Sequence, residues 1–491
     1  MPDKYIQMKG HPRRDLERET AQGYRLEQVV ADLVDNCVDA GAENIEVIFN
    51  DEQYNGRDSH YLIVLDDGCG ILPNLFSQVM DLGVERVYDE LDLGKFGVGM
   101  KSSSLSQAKE ITVLTKIEGG EIELRRLSFE IVWERDEWVL TNELLEHMKT
   151  HAIDVAMEQL NSRASGTAVV LEDMHKLDLQ VGYEDQKKEY LNAEYAIIRE
   201  YLSLVFERYL GDGITLKRKD GTSIHRCLKI CFNGQHDQLT PLDPFCRDYN
   251  DGTITGTLRI SEEVSIQVED NHVVTVPISI WITPKSNDRE KGFDGRLRTA
   301  SRDLSIRELQ GMYIYRNGRL IDFPGWKRLL KVEEHMTCLR WEINFPPVLD
   351  SAFQLDPSKR EVKIPMILRE HLAKLTTSKF RWHPDDEKAV NHRARARIRQ
   401  SGKDAVIKVS GKPKTTKKNE TQKSGTIKGE KVLTTKPTSA QPLKKIKLEE
   451  IPGSTLGKVI INEKQLGDTW FITLNSNHAM FKEFIKQIRE R

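Results

Sequence analysis

Asp32, Asn36 and Asp39 stand at i, i+4 and i+7, which puts all three on one face of a helix spanning Gly23 to Ala40. By itself, such a polar stripe is also what a solvated helix side looks like. Further on, the apolar run Tyr61–Leu65 delivers Asp66 into the turn Asp67-Gly68-Cys69-Gly70. A strand that ends this way places a carboxylate at its tip, and the glycines let backbone approach a ligand closely. Alone, this Asp-x-Gly-x-Gly pattern is equally an ordinary turn. A third cluster is Gly94-Lys95-Phe96-Gly97-Val98-Gly99-Met100-Lys101, leading into a predicted helix. Backbone N–H groups freed by glycine, a helix N-terminus and the Lys101 charge together suit an anion. The spacing is neither the Rossmann fingerprint, which follows a strand early in a βαβ unit, nor a Walker A loop. Fourth, Ser165-Gly166-Thr167 sets a small hydroxyl beside a turn, ahead of the strand-like run AVVLED.

The elements that must hold these residues are legible from periodicity. Opposite the polar stripe of the first helix run Leu26, Val29, Val30, Leu33, Val34, Cys37 and Val38, an apolar stripe of helical period. Strands are expected at Ile45–Phe49, Tyr61–Leu65, Ile111–Thr115 and Ala168–Leu171. A long helix is expected from about Tyr190 to Leu210. A second mixed region, about 211–370, has strands expected at Val273–Ile282 and Met312–Tyr315. Within it, Asn317-Gly318 is a strong type I′ hairpin signal. There is no internal repeat.

In this order, the four motifs resemble the GHKL ATPase superfamily: gyrase B subunits, the ninety-kilodalton heat-shock chaperones, MutL and sensor histidine kinases. The resemblance covers about residues 15–175. Within the superfamily, LVDNCVDAGA, LDDGCGI and GKFGVGMKSSSLS are most similar to the MORC (microrchidia) ATPases and their bacterial relatives. The resemblance implies an α/β sandwich of the Bergerat type with ATP and Mg²⁺ as ligands. Asn36 would hold the Mg²⁺, with Asp39 supporting the site. Asp66 would accept the adenine amino group, Gly68 and Gly70 would line the base pocket, and Thr167 would join the bonding around adenine. Gly94, Gly97, Val98, Gly99, Met100 and Lys101 would wrap the phosphates as part of a lid. Hydrolytic members usually carry Glu where this chain has Asp32, one methylene shorter. Catalytic geometry must be held tightly, so slow hydrolysis is expected. Gln310–Ile321 resembles the strand, Asn-Gly-Arg, strand hairpin of the α/β transducer domains (ribosomal protein S5-like) of MORC and MutL. That likeness makes Lys359, with Arg360 as runner-up, the residue that meets the γ-phosphate.

Length, charge and composition bound the rest. At 491 residues the chain exceeds one hydrophobic core. The expected order is an ATP-binding domain (1–185), a transducer (186–385), a basic disordered linker (386–450) and a small α+β module (451–491), with two strands and a short helix. Residues 391–450 hold seventeen basic and five acidic side chains, a net +12, against −15 for the remainder and −3 overall. Such a Lys-, Thr- and Ser-rich stretch without aromatics cannot offset its ordering entropy. It reads either as a solvated linker or as a non-specific, salt-sensitive contact to DNA phosphates. No apolar run is long enough to span a membrane, and six scattered cysteines make no disulfide framework, pointing to a reducing compartment. The expectation is cytoplasmic, or nuclear in a eukaryote, where PLKKIK resembles a localisation patch. Cys227-x3-Cys231 reads as part of a strand rather than a metal site. The functional expectation is an ATP-gated homodimeric clamp on DNA, with partner proteins reached through the C-terminal module. The alternatives are a chaperone-like ATPase acting on protein clients and a nucleotide switch without turnover.

Overall fold

Runs of Val, Ile and Leu too long for simple alternation need apolar cover on both faces of a sheet, and the first sheet provides it. The computed structural model describes residues 11–54, 57–79, 89–94, 99–143, 149–175, 177, 184–218, 220–234, 237–247, 256–268, 273–284, 292–355, 362–375, 446–451, 462–466 and 469–475. These belong to two units, Met1–Pro413 and Lys414–Arg491.

In the first unit, the helices are α1 (Pro12–Thr20), α2 (Leu26–Asp39), α3 (Pro73–Val79), α4 (Gly99–Leu105), α5 (Phe129–Arg135), α6 (His151–Asn161), α7 (Glu184–Val205), α8 (Phe293–Ala300) and α9 (Met366–Leu375). Strands β1 (Asn44–Tyr54), β2 (Arg57–Asp66), β3 (Glu110–Lys116), β4 (Glu123–Ser128), β5 (Gly166–Glu172) and β8 (Lys229–Phe232) form a six-stranded sheet in the order β4-β3-β5-β2-β1-β8. Leu62 and Val64 of β2 point into the core shared with α2. Tyr61, Ile63 and Leu65 point to the opposite face, under Ala152, Ile153, Ala156 and Leu160 of α6. Both faces are therefore covered, a helix-and-sheet sandwich as expected. All seven apolar positions of the α2 stripe are buried.

β6 (Ile214–Lys217) and β7 (Ser223–Arg226) make a separate hairpin. Strands β9 (Thr257–Gln267), β10 (Val273–Ile282), β11 (Gly311–Arg316), β12 (Arg319–Asp322) and β13 (Leu339–Phe345) form a second sheet in the order β12-β11-β13-β10-β9. β11 and β12 are joined by Asn317-Gly318, both at positive φ (48° and 83°), the geometry the Asn-Gly signal demands. In the second unit, β14 (Ile446–Ile451) pairs parallel with β16 (Thr469–Asn475), and β15 (Asn462–Leu466) pairs antiparallel with β16.

Two boundaries differ from expectation. The edge strand of the first sheet, β8, comes from the stretch expected to open the second region. Ile230 pairs with Ile45 in parallel register, because a strand can join any open edge regardless of its distance along the chain. β14 begins inside the segment expected to be linker. Its alternation of Ile446 and Leu448 with charged residues is a strand pattern that the net charge of the surrounding stretch conceals. The remainder of that linker, and the helix expected after β16, lie outside the described residues.

Gly166 opens β5 at φ +150°, where a Cβ would stand 2.1 Å from the Asp66 carbonyl oxygen. Gly166→Ala is expected to cost roughly 2–3 kcal/mol of stability, read from the midpoint of chemical denaturation. An unchanged midpoint would show that this approach is not tight.

Candidate functional site

The site forms where the C-terminal end of α2, the turn after β2 and the start of β5 converge. Asp66 ends β2 with its side chain buried, and its Oδ1 accepts from Gly68 N (2.8 Å) and Thr167 N (3.2 Å). The Cys37 thiol, one residue after Asn36, also donates to it. Burial nevertheless dominates and pushes the Asp66 carboxyl up to about 6. Its neighbour Asp67 goes the other way. Partial burial works against its charge, but bonds from Asn44 Nδ2 (2.6 Å), Asn44 N and Glu43 N (both 2.8 Å) hold it below the usual range. Asp67 fastens the start of β1, whereas Asp66 is a strained charge that a ligand donor could stabilise. Environments that separate two adjacent carboxylates in this way mark a site.

Gly70 sits at φ +71°, and a Cβ there would lie 2.3 Å from the Lys116 carbonyl oxygen, so this turn accepts no side chain. Thr115 closes it. Its Oγ1 accepts from Ile71 N (2.8 Å) and lies 3.1 Å from Thr167 Oγ1. Thr115 carried no sequence signal, being one β-branched residue within a buried strand. Its role emerges only once β3 pairs with β5, placing Thr115 opposite Thr167.

On α2, Asn36 is exposed, while Asp32 and Asp39 flank it along the helix. Asp39 accepts from Leu93 N (2.7 Å) and Gly94 N (2.8 Å), which fixes the stem of the glycine loop against α2. Burial pushes its carboxyl up to about 6, against those two bonds. Gly99 and Met100 open α4, and Lys101 is buried within it. Gly97, Val98, Lys359 and Arg360 lie outside the described residues. The structure joins Asp66 to Gly68 and Thr167, sets Gly68 against Ala40 just after α2, and ties Asp39 to Gly94, while Asn36 stands exposed one turn earlier on α2.

Asp32 has a cationic neighbour from a distant part of the chain. Arg319, in the Asn-Gly-Arg hairpin of the second sheet, donates through Nε to Asp35 Oδ1 (2.8 Å). Its Nη2 stands 3.7 Å from Asp32 Oδ1. Burial works against the Arg319 charge, yet Asp35, Tyr201 and Asp32 together hold it above its usual value. A second arginine, Arg302, binds Glu27 at the start of α2 through both oxygens (2.9 and 2.7 Å) and Glu194 of α7 likewise (3.0 and 2.9 Å). The helix that carries Asn36 is therefore gripped at two levels by cations from beyond the first sheet.

Residues 24–167 match the family model described as histidine kinase-, DNA gyrase B-, and HSP90-like ATPase. This is a GHKL-type ATPase domain, and it is MORC-like. Over 91 residues the chain is 35% identical to human MORC family CW-type zinc finger protein 1, and 34% identical to human ATPase MORC2 and mouse ATPase MORC2A. Each alignment covers 18% of this chain and 9% of the relative. The chain thus matches about a tenth of the length of these relatives.

Between about pH 4 and 6, Asp39 and Asp66 of the folded GHKL domain hold protons that the unfolded chain has released. The stability they contribute is therefore greatest below about pH 4 and is lost as pH rises through 6. Asp66→Asn removes a costly buried charge while keeping an oxygen to accept from Gly68 and Thr167. At pH 7.5 it is expected to stabilise the nucleotide-free protein by about 2 kcal/mol, measured by urea titration. At pH 3.5 the gain should vanish; a variant no more stable than wild type at pH 7.5 would contradict burial as the dominant cause.

Proposed function

We propose that this protein is an ATP-binding, slowly hydrolysing MORC-like ATPase that works as an ATP-gated dimeric clamp on DNA. The observation that carries the nucleotide reading is Asp66: a buried carboxylate raised to about 6, at a strand tip cleared of side chains by Gly68 and Gly70. The donors Asp66 already has do not offset its burial, so the adenine amino group supplies a further N–H donor, and a carboxylate that gains a donor on binding favours the bound state. Thr115 and Thr167 border the same turn with hydroxyls able to donate or accept.

Asn36 presents an amide oxygen on the exposed side of α2, a hard donor suited to Mg²⁺ together with phosphate oxygens and water. In this reading Asn36 would hold that ion, which would supply neutralisation of the phosphate charge. The chain itself holds the stem of the glycine loop through Asp39 and aligns Asp32 one turn before Asn36. Asp32 is the residue that accepts the proton of the attacking water. It shares its charge with Arg319 and reaches less far than Glu, so turnover is slow. Lys359 is the proposed γ-phosphate contact from the second region, making that region a transducer. The basic stretch 391–450, net +12 beside an acidic remainder, supplies the non-specific DNA contact.

The reading is tested by ATPase rates, light scattering and DNA mobility shifts on the full chain. Asn36→Ala should lower ATP affinity at least tenfold. Asp32→Glu should turn over faster than wild type and Asp32→Asn at least tenfold slower; equal rates in all three would remove Asp32 from the mechanism. A non-hydrolysable ATP analogue should double the mass in solution, and a monomer at saturation sinks the clamp. Deleting 391–450 should weaken DNA retention and flatten its salt dependence. Salt-insensitive binding, or none, would favour protein clients instead.

A further inference from the structure

Arg316, the last residue of β11, is almost wholly buried, as is its partner Asp350. Its Nε donates to Asp350 Oδ1 (2.8 Å) and its Nη2 to Oδ2 (3.0 Å), a two-pronged pair. The remaining nitrogen, Nη1, donates to the carbonyl oxygens of Asp92 (2.9 Å) and Leu93 (3.0 Å). Those carbonyls belong to the stem whose N–H groups, at Leu93 and Gly94, are taken by Asp39 of α2. The stem is thus held along one edge by the ATPase helix and along the other by the second sheet. Asp350 lies nine residues before Lys359. One guanidinium therefore joins the root of the glycine loop to the root of the segment that carries the candidate γ-phosphate lysine.

We propose that Arg316 is a positioning residue for the nucleotide site, setting the glycine-loop stem and the Asp350 segment in fixed register. The proposal rests on the nucleotide reading above. Its physical basis is the planar fork of five N–H donors on three nitrogens, two of which satisfy a carboxylate while the third meets two backbone carbonyls. Lysine offers a compact point charge and cannot span both partners at these distances. A buried ion pair is also weak evidence for stability, since apolar side chains of similar volume often replace one without loss. What this pair supplies is direction: Arg316 sees Asp350 on one side and the stem on the other. Asn317 adds to it, its Nδ2 reaching the carbonyl oxygens of Glu90 and Leu91 (3.4 Å each).

The test uses the full chain with Arg316→Lys, Arg316→Met, Asp350→Asn and the Arg316→Met/Asp350→Asn double variant. Four quantities are measured: thermal midpoint, ADP affinity by calorimetry, kcat and KM for ATP, and amide hydrogen exchange across residues 89–94 without nucleotide. The expected result is ADP affinity within twofold of wild type and kcat reduced at least tenfold, with KM changed less than threefold. Exchange in 89–94 should be at least tenfold faster, Arg316→Lys should recover little of kcat, and the double variant should be no worse than the poorer single one. Unchanged exchange or unchanged kcat in Arg316→Lys overturns the proposal. So does a parallel loss of ADP affinity, kcat and thermal midpoint, which marks a merely structural pair. If wild type binds no ADP, the nucleotide reading fails and takes the proposal with it, a result separable from all the others because it appears before any substitution.

Discussion

Asp39 and Asp66 are desolvated by packing and satisfied chiefly by backbone N–H groups, and much of the surrounding structure follows from that pairing. An N–H donor has to be aimed, so each carboxylate dictates the path of a loop. Asp66 bends the chain back through Gly68 and pulls the start of β5 alongside. Asp39 pulls in Leu93 and Gly94. Neither arrangement fully offsets desolvation, which is why both carboxyls rise to about 6. The resulting strain is local, and glycine makes it feasible: at Gly70 and Gly166 a methyl group would collide with a backbone carbonyl.

Elsewhere on α2 the acids are met by full cations. Glu27 faces Arg302, and Asp35 with Asp32 faces Arg319. These pairs are buried or half-buried, so deleting one member typically costs about 3–5 kcal/mol by stranding the other. The division is chemically sensible. Where the helix is braced, charge is neutralised by cations within the chain; at its far end, Asp39 is met by backbone N–H groups, and burial outweighs them. Arg302 itself sits at φ +53°, a conformation unusual for a side-chain-bearing residue, and four hydrogen bonds to two carboxylates hold it there.

Much of the fold of the first unit was legible because its signals are local. The α2 stripe, the doubly buried run of β2 and the Asn-Gly turn each encode their geometry within a few residues. The candidate site residues came from motifs whose spacing is set by one helix turn or one loop. What escaped was long-range. Thr115 matters through pairing with a strand fifty residues later, and β8 through pairing with one nearly two hundred residues earlier. Arg316 and Arg319 were visible as letters of a hairpin, but their carboxylate partners lie in distant segments. Periodicity cannot report which open edge a short strand will close, nor which buried acid a given arginine will meet.

The parallel seat of β8 beside β1 has a practical meaning for dissecting this chain. A fragment ended after the matched family region, at Thr167 or even at Leu210, would lack Lys229–Phe232. It would present the β1 edge as a row of unsatisfied N–H and C=O groups carrying Ile45 and Val47. Open, apolar edges of that kind recruit other chains into intermolecular sheets. The smallest self-contained piece of this chain is therefore set by where its first sheet closes, well beyond the end of the matched family region.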